Sequence, residues 1–295
     1  MHDTNQHNTT NDKMIYFQTH EIESWINEDA PLLDLTGHLL EINNQPARLS
    51  VKSRHATRLT MMEEAARIFE LLGAEIKLQL PSGIDVTAET EILLVDGRAD
   101  ALHRGWKVAM NLLEYLCGVA THTAKMVAEV EAVGHIPLLV TRKHLPGMKK
   151  PMIKAISNGG AHPHRLGLSE TILIFENHLN IIGGRDALKE KIPQIQQAAC
   201  EKKISVECDT LKHALQAAQA GADLIQFDKI EVDSLSQWIA QLKNNYPHVK
   251  VIIAGGINQQ NIRCYAQSGV DGIVLSSLYH AKPADLGVTI TPLIK

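Results

Sequence analysis

ISVECDTLKHALQAAQAGADLIQFD, residues 204–228, reads as an apolar strand, a helix and a second apolar strand. ISVECD (204–209) and DLIQFD (223–228) are short runs, nearly continuous in apolar character. Between them TLKHALQAAQAGA spaces its apolar residues as a helix does. A strand–helix–strand unit with apolar runs on both sides of the helix implies parallel strands buried on both faces.

The same grammar extends in both directions. PLLVTR (137–142) and TILIFEN (171–177) precede the unit, and VKVIIAGG (249–256) and DGIVLSS (271–277) follow it. KEKIPQIQQAACEKK, VDSLSQWIAQLKNN and NQQNIRCYAQSG supply helices between the runs. Six such units predict an α/β fold, either a barrel or an open sheet, and periodicity alone does not choose between them.

Residues 14 to about 104 mix elements without that alternation. IYFQTHEIESWIN (15–27) has helical spacing; GHLLEI (37–42) and ARLSVKS (47–53) read as strands around an Asn43-Asn44 turn. RLTMMEEAARIFELLG (58–73) is expected to be a helix closed by Gly73, and AEIKLQL (74–80) and EILLVDGRADALH (91–103) carry strand signals. This makes an α+β domain over 14–104. A long helix over about 106–132 leads into the α/β domain (105–280), and residues 281–295 are expected to form a C-terminal segment returning to the first domain. Gly118 inside that helix costs about 1 kcal/mol relative to Ala, which points to close packing or a bend. The polar first thirteen residues predict an unordered tail, with Met14 opening the structured chain.

Composition bounds the function. The 295 residues carry a net charge of −4, which argues against a general nucleic-acid binder and means that an anionic ligand must be held by a local basic cluster. No apolar run approaches a membrane span. Cys117, Cys200, Cys208 and Cys264 form no C-x-x-C pair and read as reduced thiols of a cytoplasmic protein.

Polar groups gather where each strand ends: Arg142-Lys143, Glu176 and His178, Glu207 and Asp209, Asp228, Gly255-Gly256, and Ser276-Ser277. Carboxyl ends of parallel strands are where such folds place their sites. IIAGGINQQNI (252–262) runs a strand into two glycines, then Asn258 as a cap, then a helix, an anion-cradling pattern that Ser276 and Ser277 could complete. TRKHLPGMKK (141–150) and NGGAHPHRLGLSE (158–170) bring Arg142, Lys143, His164 and Arg165 together, suited to carboxylate or phosphate. Glu207 and Asp228, on adjacent strands, suit Mg²⁺ or ribose hydroxyls. His162 and His164 lack the further ligands of a zinc site.

In order along the chain, TRKHLPG, NGG-x₃-HRLGLSE, ENH, VECD, FDK, AGGIN and the L-x-H of SLYH resemble the motifs of quinolinate phosphoribosyltransferases. NLLEYLCGVAT (111–121) and EDAPLLDLT (28–36) extend the resemblance over residues 15–295. It implies an incomplete six-stranded α/β barrel preceded by an α+β sandwich domain, in a homodimer whose active sites are completed across the interface. The implied reaction joins phosphoribosyl pyrophosphate (PRPP) to a pyridine carboxylate, with Mg²⁺ as cofactor.

By position the resemblance gives Arg142, His164 and Arg165 to the acceptor carboxylates. Lys143, Gly255, Gly256 and His280 fall at phosphate positions, and Glu207 and Asp228 around ribose and Mg²⁺. Four positions depart from it. Lys107 replaces an arginine that reaches the partner's site, Phe175 a lysine, Ala254 a serine and Ser276 a glycine. These departures resemble the ModD branch, proteins encoded with molybdate transporters. That leaves two functions open: a transferase acting on quinolinate or a related acceptor, or a non-catalytic small-molecule-binding protein linked to molybdate uptake.

Overall fold

The computed structural model describes residues 15–293, so the tail expected over 1–13 lies outside the described residues. In chain order the first elements are α1 (Thr19–Asp29), α2 (Leu35–Leu39), β1 (Pro46–Ser53), β2 (Thr57–Arg58), α3 (Met62–Leu71), β3 (Glu75–Gln79), β4 (Asp85–Val86), β5 (Glu91–Arg98) and α4 (Ala99–Glu131). There follow β6 (Leu138–Val140), α5 (Lys149–Asn158), β7 (His162–Pro163), β8 (Ile172–Ile174), α6 (Glu176–Ile182), α7 (Leu188–Ala198) and β9 (Ile204–Cys208). The last are α8 (Leu211–Gln219), β10 (Leu224–Asp228), α9 (Val232–Asn245), β11 (Lys250–Ala254), α10 (Ile262–Gln267), β12 (Gly272–Leu275) and β13 (Leu286–Pro292).

Two compact units result. Residues 15–122, 146–159 and 281–293 form the first, and 123–145 with 160–280 the second. The first holds an antiparallel sheet in the order β13-β1-β5-β3. Strand β1 alternates, burying Ala47, Leu49, Val51 and Ser53, because one face meets the core. Helix α3 buries Met62, Ala65, Ala66, Ile68 and Phe69 along one stripe.

Several expected elements differ here. GHLLEI is not a strand: Asp34 accepts a hydrogen bond from the Thr36 N–H at 3.1 Å and caps the short helix α2 instead. The helix expected from residue 58 starts at Met62, because Arg58 is drawn into β2 against β4 and Met61 turns left-handed. The strand expected over 91–103 stops at Arg98, and the long helix begins at Ala99 rather than 106. Gly118 does mark close packing: the 282–284 segment lies directly on it.

The second unit carries the α/β sheet, seven parallel strands in the order β7-β6-β12-β11-β10-β9-β8. It is the incomplete barrel that the sequence implied, open between β7 and β8. The seventh strand is β7, a two-residue edge whose length gave no periodic signal. Period-two alternation sorts its side chains. Val206, Cys208, Ile225, Phe227, Val251, Ile253 and Ile273 are buried on the outer face, where Phe227 packs against Trp238 of α9 at 5.5 Å between centroids. On the inner face Ile252, Ala254 and Val274 pack with Leu139 and Leu224 as an apolar floor. Glu207 pairs with Gln226 in register one step further along the strands, so a polar row sits on that floor.

A repeated device fixes the strand starts. In GADLI and GVDGI a left-handed glycine (Gly221, φ 103°; Gly269, φ 92°) ends a helix, and two residues on an aspartate turns back. Asp223 accepts from the Ile204 N–H, and Asp271 from the Val251 N–H at 2.8 Å. Asp271 also meets Lys243 and Lys250. Burial alone would raise its pKa, but these partners outweigh burial and hold it below the usual range. A depressed carboxyl stabilises the fold above its unfolded pKa and loses that contribution as pH falls through the folded value. Asp271→Asn should therefore cost about 1–2 kcal/mol at neutral pH. The gap to the parent should close below ~pH 4, as read by denaturation at several pH values.

Candidate active site

The inner face ends in a cleft of about 570 Å³ at the carboxyl ends of the strands. Of the residues singled out from sequence, Arg142, Lys143, His164, Arg165, Glu207, Asp228, Gly255, Gly256 and Ser276 line it, and so does Ala254. They come from the ends of six strands, which is why no single stretch of sequence contains the site.

Arg142 and Lys143 follow β6, whose end is held by the Thr141 N–H donating to the Leu275 carbonyl and Tyr279 Oη donating to the Thr141 carbonyl. The His164 N–H donates to the Val140 carbonyl, extending the β6–β7 ladder and bringing His164 and Arg165 beside Arg142. Burial, then the adjacent Arg165 charge, lowers the His164 pKa, which favours a neutral imidazole. Burial and the Arg142 charge lower that of Arg165. None of Arg142, Lys143 and Arg165 forms an ion pair among the described residues. Cations that share a cleft and have no ion-pair partner there suit an anionic ligand.

Opposite them stand the carboxylates. Burial first, and then the charge of Asp228, raise the pKa of Glu207. Gln226 Nε2 donates to Glu207 Oε2 at 2.9 Å, and Arg185 donates to the Glu207 carbonyl at 3.2 Å. Gln226 also lines the cleft and is not among the residues singled out from sequence, although its place two before Asp228 on one strand puts both on one face. It is only 6% exposed, and its Oε1, like Ser205 Oγ, has no hydrogen-bond partner among the described residues.

The Gly-Gly turn differs from expectation. Asn258 does not open a helix; its Oδ1 accepts from the Gln260 N–H in a turn, and α10 starts only at Ile262. Asn261 closes the loop, donating to the Gly256 carbonyl at 3.1 Å. Gly255 and Gly256 are left-handed, φ 86° and 72°. A Cβ on Gly255 would strike Asp228 and Lys229, whereas one on Gly256 would meet nothing.

Four sequence candidates are not among the cleft-lining residues. Lys107 lies exposed on α4 in the first unit, 5.4 Å from the Trp106 ring centroid. Phe175 packs on His178 at the start of α6, because the strand expected to reach residue 177 stops at Ile174. Ser277 Oγ is buried without a hydrogen-bond partner among the described residues, and His280 is exposed. Cys208 faces the outer core, where burial pushes its thiol up to about 12. No helix of the described residues is long and apolar enough to cross a membrane.

The family model described as quinolinate phosphoribosyl transferase, C-terminal domain, matches residues 119–289, and that of the N-terminal domain matches 34–117. The chain belongs to the quinolinate phosphoribosyl transferase family. Among relatives of this family, "Putative pyrophosphorylase ModD" of Pasteurella multocida is 33% identical over 278 residues, 94% of this chain and 99% of that protein. The carboxylating nicotinate-nucleotide pyrophosphorylase of Rattus norvegicus is 31% identical over 262 residues, 88% and 86% of the two chains. The crystal structure of NadC from Streptococcus pyogenes shares the fold at a TM-score of 0.86, with 24% identity and coverage of 95% and 100%.

Proposed function

We propose that the chain transfers phosphoribosyl from PRPP to a pyridine carboxylate such as quinolinate, as a member of the ModD branch. The observation carrying this reading is one cleft in which Arg142, Lys143 and Arg165 face Glu207 and Asp228. A dianionic ring and a polyphosphorylated sugar need cations at both ends and negative charge where the sugar turns positive. In the transfer, the C1–O bond to diphosphate breaks as the pyridine nitrogen bonds C1. The 2-carboxylate then leaves as CO₂, and the electron pair left on C2 takes a proton.

Each residue has a part in that sequence. Arg142 and Arg165 grip the acceptor carboxylates, and neutral His164 hydrogen-bonds beside them. Glu207 and Asp228 stabilise positive charge developing at C1 electrostatically. Lys143, Gly255, Gly256 and Ser276 hold phosphate. Ser277 and His280 belong to the same phosphate loop.

The donor set fits Mg²⁺: two mutually repelling carboxylates on one face attract a divalent cation. Among the described residues no group of three His, Cys, Asp or Glu side chains converges, so Glu207 and Asp228 are the residues that would hold the ion. Bound there, Mg²⁺ supplies charge neutralisation of the leaving diphosphate. We place the protein as a homodimer in which Lys107 and Phe175 act at the acceptor end, Lys107 from the partner.

Titration calorimetry with PRPP and Mg²⁺, followed by quinolinate and nicotinate, tests the reading. PRPP binding followed by acceptor binding supports it; a folded protein that binds no PRPP removes it. Arg142→Ala and Arg165→Ala should each weaken acceptor binding about ten-fold or more. The far-UV spectrum should stay unchanged. Unaltered affinity in both would dismiss the assigned carboxylate pocket.

A further inference from the structure

Lys229 closes the FDK motif but has none of the roles assigned above, yet it lines the cleft directly after Asp228. Its backbone is left-handed, φ 56°, a region that favours Gly and Asn and is unfavourable for a lysine. The strain is enforced from outside. The Lys229 N–H donates to the Ala254 carbonyl at 2.8 Å, continuing the β10–β11 ladder one residue past its end. Gly255 lies so close that a Cβ there would come within 2.6 Å of Lys229 Cγ and 2.7 Å of Asp228 Oδ1. A glycine on the neighbouring strand thus makes room for the lysine stem. Strained residues whose surroundings over-determine them concentrate at functional sites.

The ammonium is free to act. Lys229 is 75% exposed along its side chain, and its nearest acid is Asp228 at a loose 3.7 Å. Position matters as much as charge. Arg142, Lys143 and Arg165 follow β6 and β7, on one side of the cleft. Strands β12 and β11 separate them from β10, so among the described residues Lys229 is the lining cation on the far side, next to the Gly255–Gly256 turn. A ligand with phosphoryl groups at two ends needs cations on both sides.

We propose that Lys229 is an anion-binding residue that holds a phosphoryl group of the donor substrate over the carboxyl ends of β10 and β11. This rests on the phosphoribosyl-donor reading. Its ligand is a phosphate ester or a diphosphate, held by a point charge and not by a bidentate fork.

The full chain is titrated with inorganic diphosphate and with ribose 5-phosphate, each with Mg²⁺, as parent, Lys229→Met, Lys229→Asn and Lys229→Arg. Met keeps the length and the strain; Asn loses the charge and relaxes the left-handed backbone. Both should weaken binding of at least one probe about ten-fold, while Arg stays within about three-fold. Loss for diphosphate places Lys229 at the leaving group, and loss for ribose 5-phosphate places it at the 5′-phosphate. Lys229→Asn should also melt roughly 1–3 °C higher than the parent, and Lys229→Met should not. A parent that binds both probes while the Met and Asn variants bind equally well overturns the role of Lys229 alone. A parent that binds neither probe nor PRPP overturns the donor reading, and the role of Lys229 falls with it. A lower melting point for Lys229→Asn would show that the left-handed backbone is not held at a cost.

Discussion

Asp228→Asn should lower turnover about 100- to 1,000-fold with PRPP and quinolinate as substrates, while leaving the melting temperature nearly unchanged. The two halves of that result have separate physical origins. The Asp228 side chain is 38% exposed, and its ion pair with Lys229 is loose, so it contributes little to the fold. Asparagine keeps the shape and removes the charge that would face C1 of the ribose as diphosphate departs. Glu207→Gln should act in the same direction, since Gln226 can still donate to the new amide oxygen. Diphosphate release in steady state reads the effect. Turnover within three-fold of the parent in both variants would mean that neither carboxylate faces the developing positive charge.

Gly118→Ala should destabilise the protein by about 2 kcal/mol, although the same change in an exposed helix interior gains up to about 1. The methyl group would overlap the Lys282 carbonyl oxygen and come within 3.0 Å of Pro283 Cα and 3.1 Å of Ala284 N. That segment cannot simply step back. The Ala284 N–H donates to the Glu114 carbonyl at 2.8 Å, and the chain then runs straight into β13, paired with β1. Urea denaturation gives the sign directly. An unchanged or higher midpoint would show that residues 282–284 yield without cost.

Legibility in the sequence followed the range of the interactions. The α/β sheet was readable because its strands are apolar on both faces and its helices carry a 3.6-residue stripe; helix α9 begins and ends as the spacing predicts, Val232 to Asn245. GHLLEI misled because its apolar residues suggest a strand, while one aspartate hydrogen bond suffices to start a short helix. Asn258 misled likewise, since an Asn side chain caps a turn as readily as a helix.

The site was legible only in part. Charged residues at strand ends announce a cleft, and parallel register puts Glu207, Gln226 and Asp228 on one face. Gln226 carries no such signal, because a lone polar residue in an apolar strand lies outside the FDK motif that follows it. Lys229 stands in the FDK motif without a role of its own there, because backbone strain has no signature in residue type.

The sequence by itself determined the parallel architecture, the family and the set of charges at the strand ends, since these rest on local periodicity and ordered motifs. Periodicity did not decide whether the sheet closes, because closure depends on whether two short edge strands meet; the resemblance implied an incomplete barrel, and the tertiary structure leaves β7 and β8 unpaired and adds a seventh strand. It alone placed Arg142 beside Arg165 and Lys229 against Gly255. Those proximities arise from the register of strands far apart in the chain, a quantity that no local pattern encodes.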